Sequence, residues 1–446
     1  MRTLALSSSV PLIALSQTGN VNCDYVNSAS WNRNCYLISA ATHNEDCYYG
    51  NFLNHCMDCL DCSFIDYCEL CYECIDCSRC SNLRHSQYCS NCSDSFFLFN
   101  CKGCRNCFGS VNAVEKKYLW LNEQLSKEEY ERRLSRSQLH CRTRVEEAAT
   151  FFERHRLNYP QKHMFGEMNQ NVTGNSIFRS KNAFHCFDVS DVEDCSYCSW
   201  FHHAKDCMDC YSWGFPAEEC YMCLEVGDNS HRVLFSATTY NGSNCLYSYQ
   251  CRNSRNLFGC VSLHHQDSCI LNKRYEKSEY ENLAIKLIEH MQRTGEWGSF
   301  FPMRICPIAY NQAICQDAFP LTREEAQHLG ARWQEESLVA SAAEVKAIPD
   351  SIDDASEDIC NTVLTCEETG KPYHIIVQEL RFLKTHKIPI PAKSWFTRHM
   401  KRLGKRNPRM LWHRQCAKCQ KPIQTTYAPE RPEVVYCEQC YLNTVY

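Results

Sequence analysis

The chain has 446 residues, 36 of them cysteine, and a formal net charge of −5. At this length two to four domains can each bury a core without covalent staples, so small size does not explain the cysteines. No run reaches the roughly 18 apolar residues of a membrane span, because the stretch from Leu4 to Leu15 is broken by Ser7, Ser8, Ser9 and Pro11. A single Arg2 before a diluted apolar region makes a poor signal peptide. A cytoplasmic location is therefore expected, where cysteine patterns more often mean metal or packing than disulfides.

From Cys23 to Cys107 there are sixteen cysteines, all separated by multiples of three. A longer period of 21 aligns Cys35, Cys56 and Cys77, then Cys47, Cys68 and Cys89, then Cys59, Cys80 and Cys101, with Cys71 and Cys92 following the same rule. A period near 20 predicts stacked repeats. The expected fold is mainly β: a duplicated Cys-rich parallel β-helix or solenoid with capping helices, an acidic linker and a small C-terminal α+β module. Adjacent strands about 4.8 Å apart would turn each cysteine column into an inward ladder. Core filling, disulfides between stacked thiols and metal clusters are the three readings of such ladders. No bacterial iron–sulfur run is present, and the only Cys-Pro, Cys306-Pro307, stands alone.

The first copy is placed at residues 23–125 and a degraded second copy at 161–275, with Arg105-Asn-Cys-Phe-Gly-Ser-Val111 matching Arg255-Asn-Leu-Phe-Gly-Cys-Val261. Leu121-Asn122 likewise matches Leu271-Asn272. The second copy keeps Cys186 and Cys207 at 21 residues, then slips by one before Cys220. Ser126-x-x-Glu129, Ser278-x-x-Glu281 and Thr322-x-x-Glu325 are capping boxes that predict helices. Residues 126–160 and 276–334 are assigned to helices covering the ends of the stacks. The first is expected to run to about His155 and the second to about Met291.

Residues 335–358, rich in Ser, Ala, Asp and Glu, read as an acidic linker. Residues 359–415 hold Cys366-Glu-Glu-Thr369-Gly-Lys371, half a ribbon whose second cysteine is threonine, and then a basic segment. Between Leu380 and Pro429 there are thirteen Lys and Arg and no acid. Lys393, Arg398, Lys401, Arg402, Lys405, Arg406, Arg409 and Arg414 interleave with Trp395 and Trp412, a pattern that suits phosphates and unpaired bases of RNA. The alternative is a solvated basic face, or one docked on the acidic body of the same chain. In residues 416–446, Cys416-x-x-Cys419 and Cys437-x-x-Cys440 supply two chelating knuckles, the pattern of one structural zinc ion.

Tyr310-Asn311, Phe319-Pro-Leu-Thr-Arg-Glu-Glu325 with Trp333, Arg406-Asn-Pro-Arg409, Thr425 to Glu433 and Val435 to Tyr441 extend this pattern over nearly the whole chain. In these segments and in its triplet cysteines, the chain resembles cysteine-rich repeat proteins of candidate-phylum, small-genome bacteria that end in a zinc ribbon. The resemblance implies zinc at Cys416, Cys419, Cys437 and Cys440 and a bacterial cytoplasmic setting, and it implies no substrate. It also implies two further cysteines near Trp395 to Arg398, whose absence here argues against a first zinc site.

No Walker A loop, dinucleotide fingerprint, H-E-x-x-H or nucleophile elbow is present, and His202-His203 and His264-His265 read as polar surface. The function expected is a zinc-binding interaction or scaffold protein whose basic module grips RNA or a ribonucleoprotein while the repeats meet a protein partner. The alternatives are a multi-metal storage or redox protein and a disulfide-bonded extracellular scaffold.

Overall fold

The computed structural model describes residues 18–205, 217–218, 224–226, 230–306, 308–335 and 347–445. The protein is sheet-rich with few helices. In the first block, every strand before Leu119 pairs in parallel with the segment twelve residues on. Asn27 lies opposite Ser39, Tyr36 opposite Tyr48, Ser63 opposite Ile75 and Ser81 opposite Ser93.

A three-residue unit builds this block. Its first residue bridges to the next rung, as Val21 does to Arg33 and Asp24 to Tyr36. Its second has left-handed φ, at every third residue from Asn22 to Leu121 including Gly103 and Gly109. Left-handed backbone favours Asn, Asp and Gly and is worst for β-branched side chains. No Val, Ile or Thr occupies such a position in this block. The third residue is buried at every position from Ala29 to Ala113, and this is where the cysteines fall.

The expected period of 21 is corrected to twelve. Cys47 touches Cys35 and Cys59, and Cys71 touches Cys59. Cys80 meets Cys68 and Cys92, and Cys89 meets Cys77 and Cys101. Cys35, Cys56 and Cys77 therefore stand in three different columns. The cause is backbone register, which places residues twelve apart, not 21, in adjacent strands.

Each block ends alike. Leu119–Trp120 turns back antiparallel on Glu123–Gln124, and Cys269 and Ile270 pair in the same way with Arg274 and Lys273. Asn122 receives the Val111 N–H at 2.7 Å and donates to the Val111 carbonyl at 2.8 Å. Asn272 does the same for Val261 at 2.9 and 2.8 Å. One side-chain amide thus replaces the peptide of a missing next rung, so the last backbone groups stay paired.

The helix after the first block is two helices, α1 (Lys127–Arg136) and α2 (Arg142–Arg156), not one run to His155. Ser126 accepts from the Glu129 N–H, but the Glu129 carboxylate turns to Arg132 and Arg133, leaving half a capping box. In the second block α3 (Lys277–Thr294) starts after Glu276, so Ser278 lies inside the helix and forms no box. The full box forms at Thr322, before α4 (Arg323–His328). Tyr130 and Phe152 pack on Phe97 and Phe108, while Tyr280 packs on Phe258 and Ile270.

Residues 336–346 of the expected linker lie outside the described residues, as does the slip before Cys220. Further on, Ile348, Ile352 and Ala355 of that linker pack on the core. The Asp350 carboxylate accepts the Thr143 N–H and hydroxyl, both at 2.9 Å, at the start of α2, and Ile352 is buried. Its acidity serves a helix N-terminus, where negative charge is favoured. The C-terminal module follows with α5 (Val377–Thr385), α6 (Trp395–Gly404) and α7 (Glu438–Val445). Val435–Tyr436 pairs in parallel with Gln161–Lys162, joining the chain's last strand to the second block.

Candidate metal centre

Two local structures bring four thiols together. Trp412–Gln415 and Pro422–Thr425 form an antiparallel hairpin whose tip carries Cys416 and Cys419. Cys437 and Cys440 lie at the start of α7. All four Sγ atoms lie within 4.8 Å of one another. Burial opposes ionisation of Cys416, but backbone N–H groups of Cys419, Cys437 and Lys418 aim at its sulfur and hold its pKa down to about 6. The Cys437 N–H reaches that sulfur at 3.2 Å. Four soft donors at this spacing fit a metal ion, and four protein thiolates fill a tetrahedron without leaving a position for substrate.

No family model matches the chain, and no curated protein matches it. Among solved structures, one from Desulfovibrio desulfuricans G20, described as a "putative acetyltransferase", is 7% identical. The match covers 63% of this chain and 73% of that one, with a TM-score of 0.11. At that score the likeness carries no argument about fold or activity.

The basic segment lies against the acidic faces of the repeats. Arg398, Arg402 and Arg406 follow at intervals of four along α6 and just beyond it. Arg402 has no exposed side-chain surface and holds Asp61 and Glu73, both at 2.9 Å. Arg398 holds Asp61 at 2.8 Å and Glu379 at 2.9 Å. Arg406 grips Asp76 and Asp188, with its guanidinium 3.8 Å from the centre of the Phe64 ring. Arg409 meets Asp188 at 2.7 Å and lies over Trp200 at 4.0 Å. Lys393 pairs with Glu367 and Lys401 with Glu368. Arg414 donates to the carbonyls of Ala428 and Glu433. Trp395 stacks on Tyr49, Trp412 sits in the hairpin, and Lys405 is exposed. Of the residues expected to meet nucleic acid, Arg398, Arg402, Arg406, Arg409 and Arg414 are instead engaged by carboxylates and carbonyls of the same chain.

Burial lifts Glu379 to about 7 against the pull of Arg398, and lifts Asp76 to about 6 against Arg406. Asp188 is only half-buried, and against the same desolvation Arg406 and Arg409 together bring it down to about 2. Beside these groups lies a cleft of about 240 Å³ lined by Phe64, Trp200, Asp317, Met400, Arg406 and Arg409. Sequence reading missed Asp61, Glu73, Asp76, Asp188 and Glu379. The available signal was the four-residue spacing of the arginines, which puts them on one helical face.

All cysteines among the described residues are free thiols. The Cys56 sulfhydryl has the Asn54 and Ile65 carbonyls in reach at 3.3 and 3.5 Å, and the pattern recurs along the columns. Burial holds Cys251 protonated with a pKa of about 11 and Cys260 with about 12. Toward the N-terminus the column of Cys56 continues as Asn44, Asn32 and Asn20, whose amides bond one to the next at 2.9 and 3.1 Å. His264 and His265 are exposed, and the side chains of His202 and His203 lie outside the described residues.

Proposed function

We propose that the protein is an interaction scaffold: a closed parallel β-helix with four three-residue sides, finished by a ribbon that holds one structural zinc ion. Closure is supported by the twelve-residue register recurring on all four bridge positions, as in Val21–Arg33, Asp24–Tyr36, Asn27–Ser39 and Ser30–Thr42. Zinc suits four thiolates in a tetrahedron, and such a site holds structure without catalysing.

The observation that carries the scaffold reading is how the reactive groups are used. Thiols of the columns donate to carbonyls, and the basic segment from Arg398 to Arg409 forms a strap whose arginines hold carboxylates of the repeats, while an aromatic ladder faces outward. Trp31, His43, His55 and Tyr67, each twelve residues from the next, are exposed and stack at 6.2, 4.8 and 4.6 Å. Flat exposed rings of this kind favour a protein partner. The setting proposed is a reducing cytoplasm.

Elemental analysis of protein purified without added metal, with thiols titrated in denaturant and chelator, tests this reading. One zinc per chain and all 36 cysteines reactive are expected. Four or more metal ions per chain would move the function into the columns, and a large thiol deficit would favour the disulfide scaffold.

A further inference from the structure

The turn carrying Cys366 is built like the turn carrying Cys416, fifty residues on. Cys366-Glu-Glu-Thr-Gly-Lys-Pro372 parallels Cys416-Ala-Lys-Cys-Gln-Lys-Pro422. In the flanking hairpins Thr365 lies opposite Pro372, and Gln415 opposite Pro422. The Cys366 N–H donates to the Lys371 carbonyl at 2.9 Å, and the Gly370 N–H to the Cys366 carbonyl at 2.9 Å. The Cys416 N–H donates to Lys421 and the Gln420 N–H to Cys416, again at 2.9 Å. Gly370 and Gln420 are both left-handed, with φ of 68° and 62°.

The other half repeats as well. The Glu367 N–H donates to the Ala392 carbonyl at 3.0 Å, and the Ala417 N–H to the Val435 carbonyl at 2.9 Å. Two residues past each acceptor comes the residue that precedes a helix: Ser394 before α6 and Cys437 before α7. The correspondence sets Thr369 at the place of Cys419, Ser394 at that of Cys437 and Thr397 at that of Cys440.

Three hydroxyls therefore stand where the ribbon has thiols, and they bond within the cluster. The Ser394 and Thr397 hydroxyls are 2.9 Å apart, and the Cys366 sulfur is 3.4 Å from the Thr397 hydroxyl. Ser394 also accepts the Thr397 N–H at 3.3 Å. Cys366 is buried and Thr369 exposed, as Cys416 is buried and Cys419 exposed. Hydroxyls stay protonated at neutral pH and ligate soft or borderline ions poorly, but they donate and accept hydrogen bonds well.

We infer that the C-terminal module is two copies of one knuckle, and that Cys366, Thr369, Ser394 and Thr397 form a metal site in which hydrogen bonds replace the ion. The helix bearing the arginine strap is thereby held without metal, while α7 depends on it. The second half of this statement rests on the metal centre proposed above; the first does not.

The test is T369C/S394C/T397C in the full chain, alone and combined with C416S/C419S, titrated with cobalt(II) under reducing conditions and followed by thiolate-to-cobalt absorption. Two cobalt ions are expected in the triple variant against one in the wild type, and one in the combined variant. No gain over the wild type, or none bound in the combined variant, overturns the inference. A wild type that binds no cobalt removes the proposed metal centre, and the combined variant still decides this site. If the triple variant does not fold, hydrogen exchange of chelator-treated wild type decides instead. Retained protection in residues 364–404 supports the inference, and loss there together with 412–445 overturns it.

Discussion

Asp61→Asn isolates the charge that anchors the strap. Asp61 is buried, lies 2.8 Å from Arg398 and 2.9 Å from Arg402, and has φ of 55°, which Asn accepts as readily as Asp. The substitution leaves the backbone in place and takes one carboxylate from two buried guanidinium groups. An exposed ion pair contributes at most about 1 kcal/mol, whereas removing one partner of a buried pair costs about 3–5 kcal/mol. The buried figure applies because the Arg402 side chain is 0% exposed and that of Asp61 is 1% exposed. With a urea slope of about 2–3 kcal/mol/M, the unfolding midpoint should fall by roughly 1–2 M. Trp395, stacked on Tyr49 at 6.4 Å beside the pair, serves as the fluorescent reporter. A fall below about 0.4 M would place these contacts with surface ion pairs and refute the docked strap.

Glu379, lifted by burial to about 7 from 4.5, holds a proton that the unfolded chain releases. Its contribution to stability is complete below about pH 4.5 and is lost as pH rises through 7. Glu379→Gln should flatten that decline in urea midpoints measured between pH 5 and 7.5, leaving the declines of the same sign from Asp76 below pH 6 and from Asp61, which burial also raises. Asn122→Ala strips the partners from both Val111 backbone groups and should cost about 1–3 kcal/mol. Faster amide exchange at Val111 would report it, with a smaller effect for Asn122→Asp, which keeps the acceptor. Chelation should free the ribbon from the core it shares with Phe97, Phe99 and Phe165 through Ile423, Tyr427 and Val435. Tryptic cleavage after Lys418 should then accelerate, and unchanged cleavage would mean that the ribbon holds without metal.

The four-thiol cluster was legible because its cysteines come in two close pairs whose spacing is that of chelating knuckles. The triplet frame was legible for a similar reason, since one residue in three is buried. The rung length was not, because 12 and 21 are both multiples of three and cysteines fill enough buried positions to align at either interval. The deciding signal lay outside the cysteines. Asn22 and Asn34, Asn54 and Asp66, Asn82 and Asp94, and Asn100 and Asn112 bond across rungs at 2.9, 2.7, 3.0 and 3.0 Å, each pair twelve residues apart. The strap was half legible: four-residue spacing shows one helical face, but Asp61 lies 341 residues from Arg402 and no local pattern connects them. The stretch near Trp395 to Arg398 was marked only by missing cysteines, because a hydroxyl such as that of Ser394 or Thr397 does not signal a metal position in sequence as a thiol does.

A backbone that repeats its conformation every three residues and its pairing every twelve can change length only in quanta. An insertion of one or two residues would put every later thiol on the wrong phase; three would move each side chain to the next column, and twelve would add a rung in silence. The second block records such a change of phase. Its left-handed residues keep one count from His185 to Trp200 and another from Arg232 to Ser268, and no whole number of triplets fits the 32 positions from Trp200 to Arg232. Unequal exchange between copies can thus lengthen this protein rung by rung, while a single-codon slip has to be absorbed within one segment or undone.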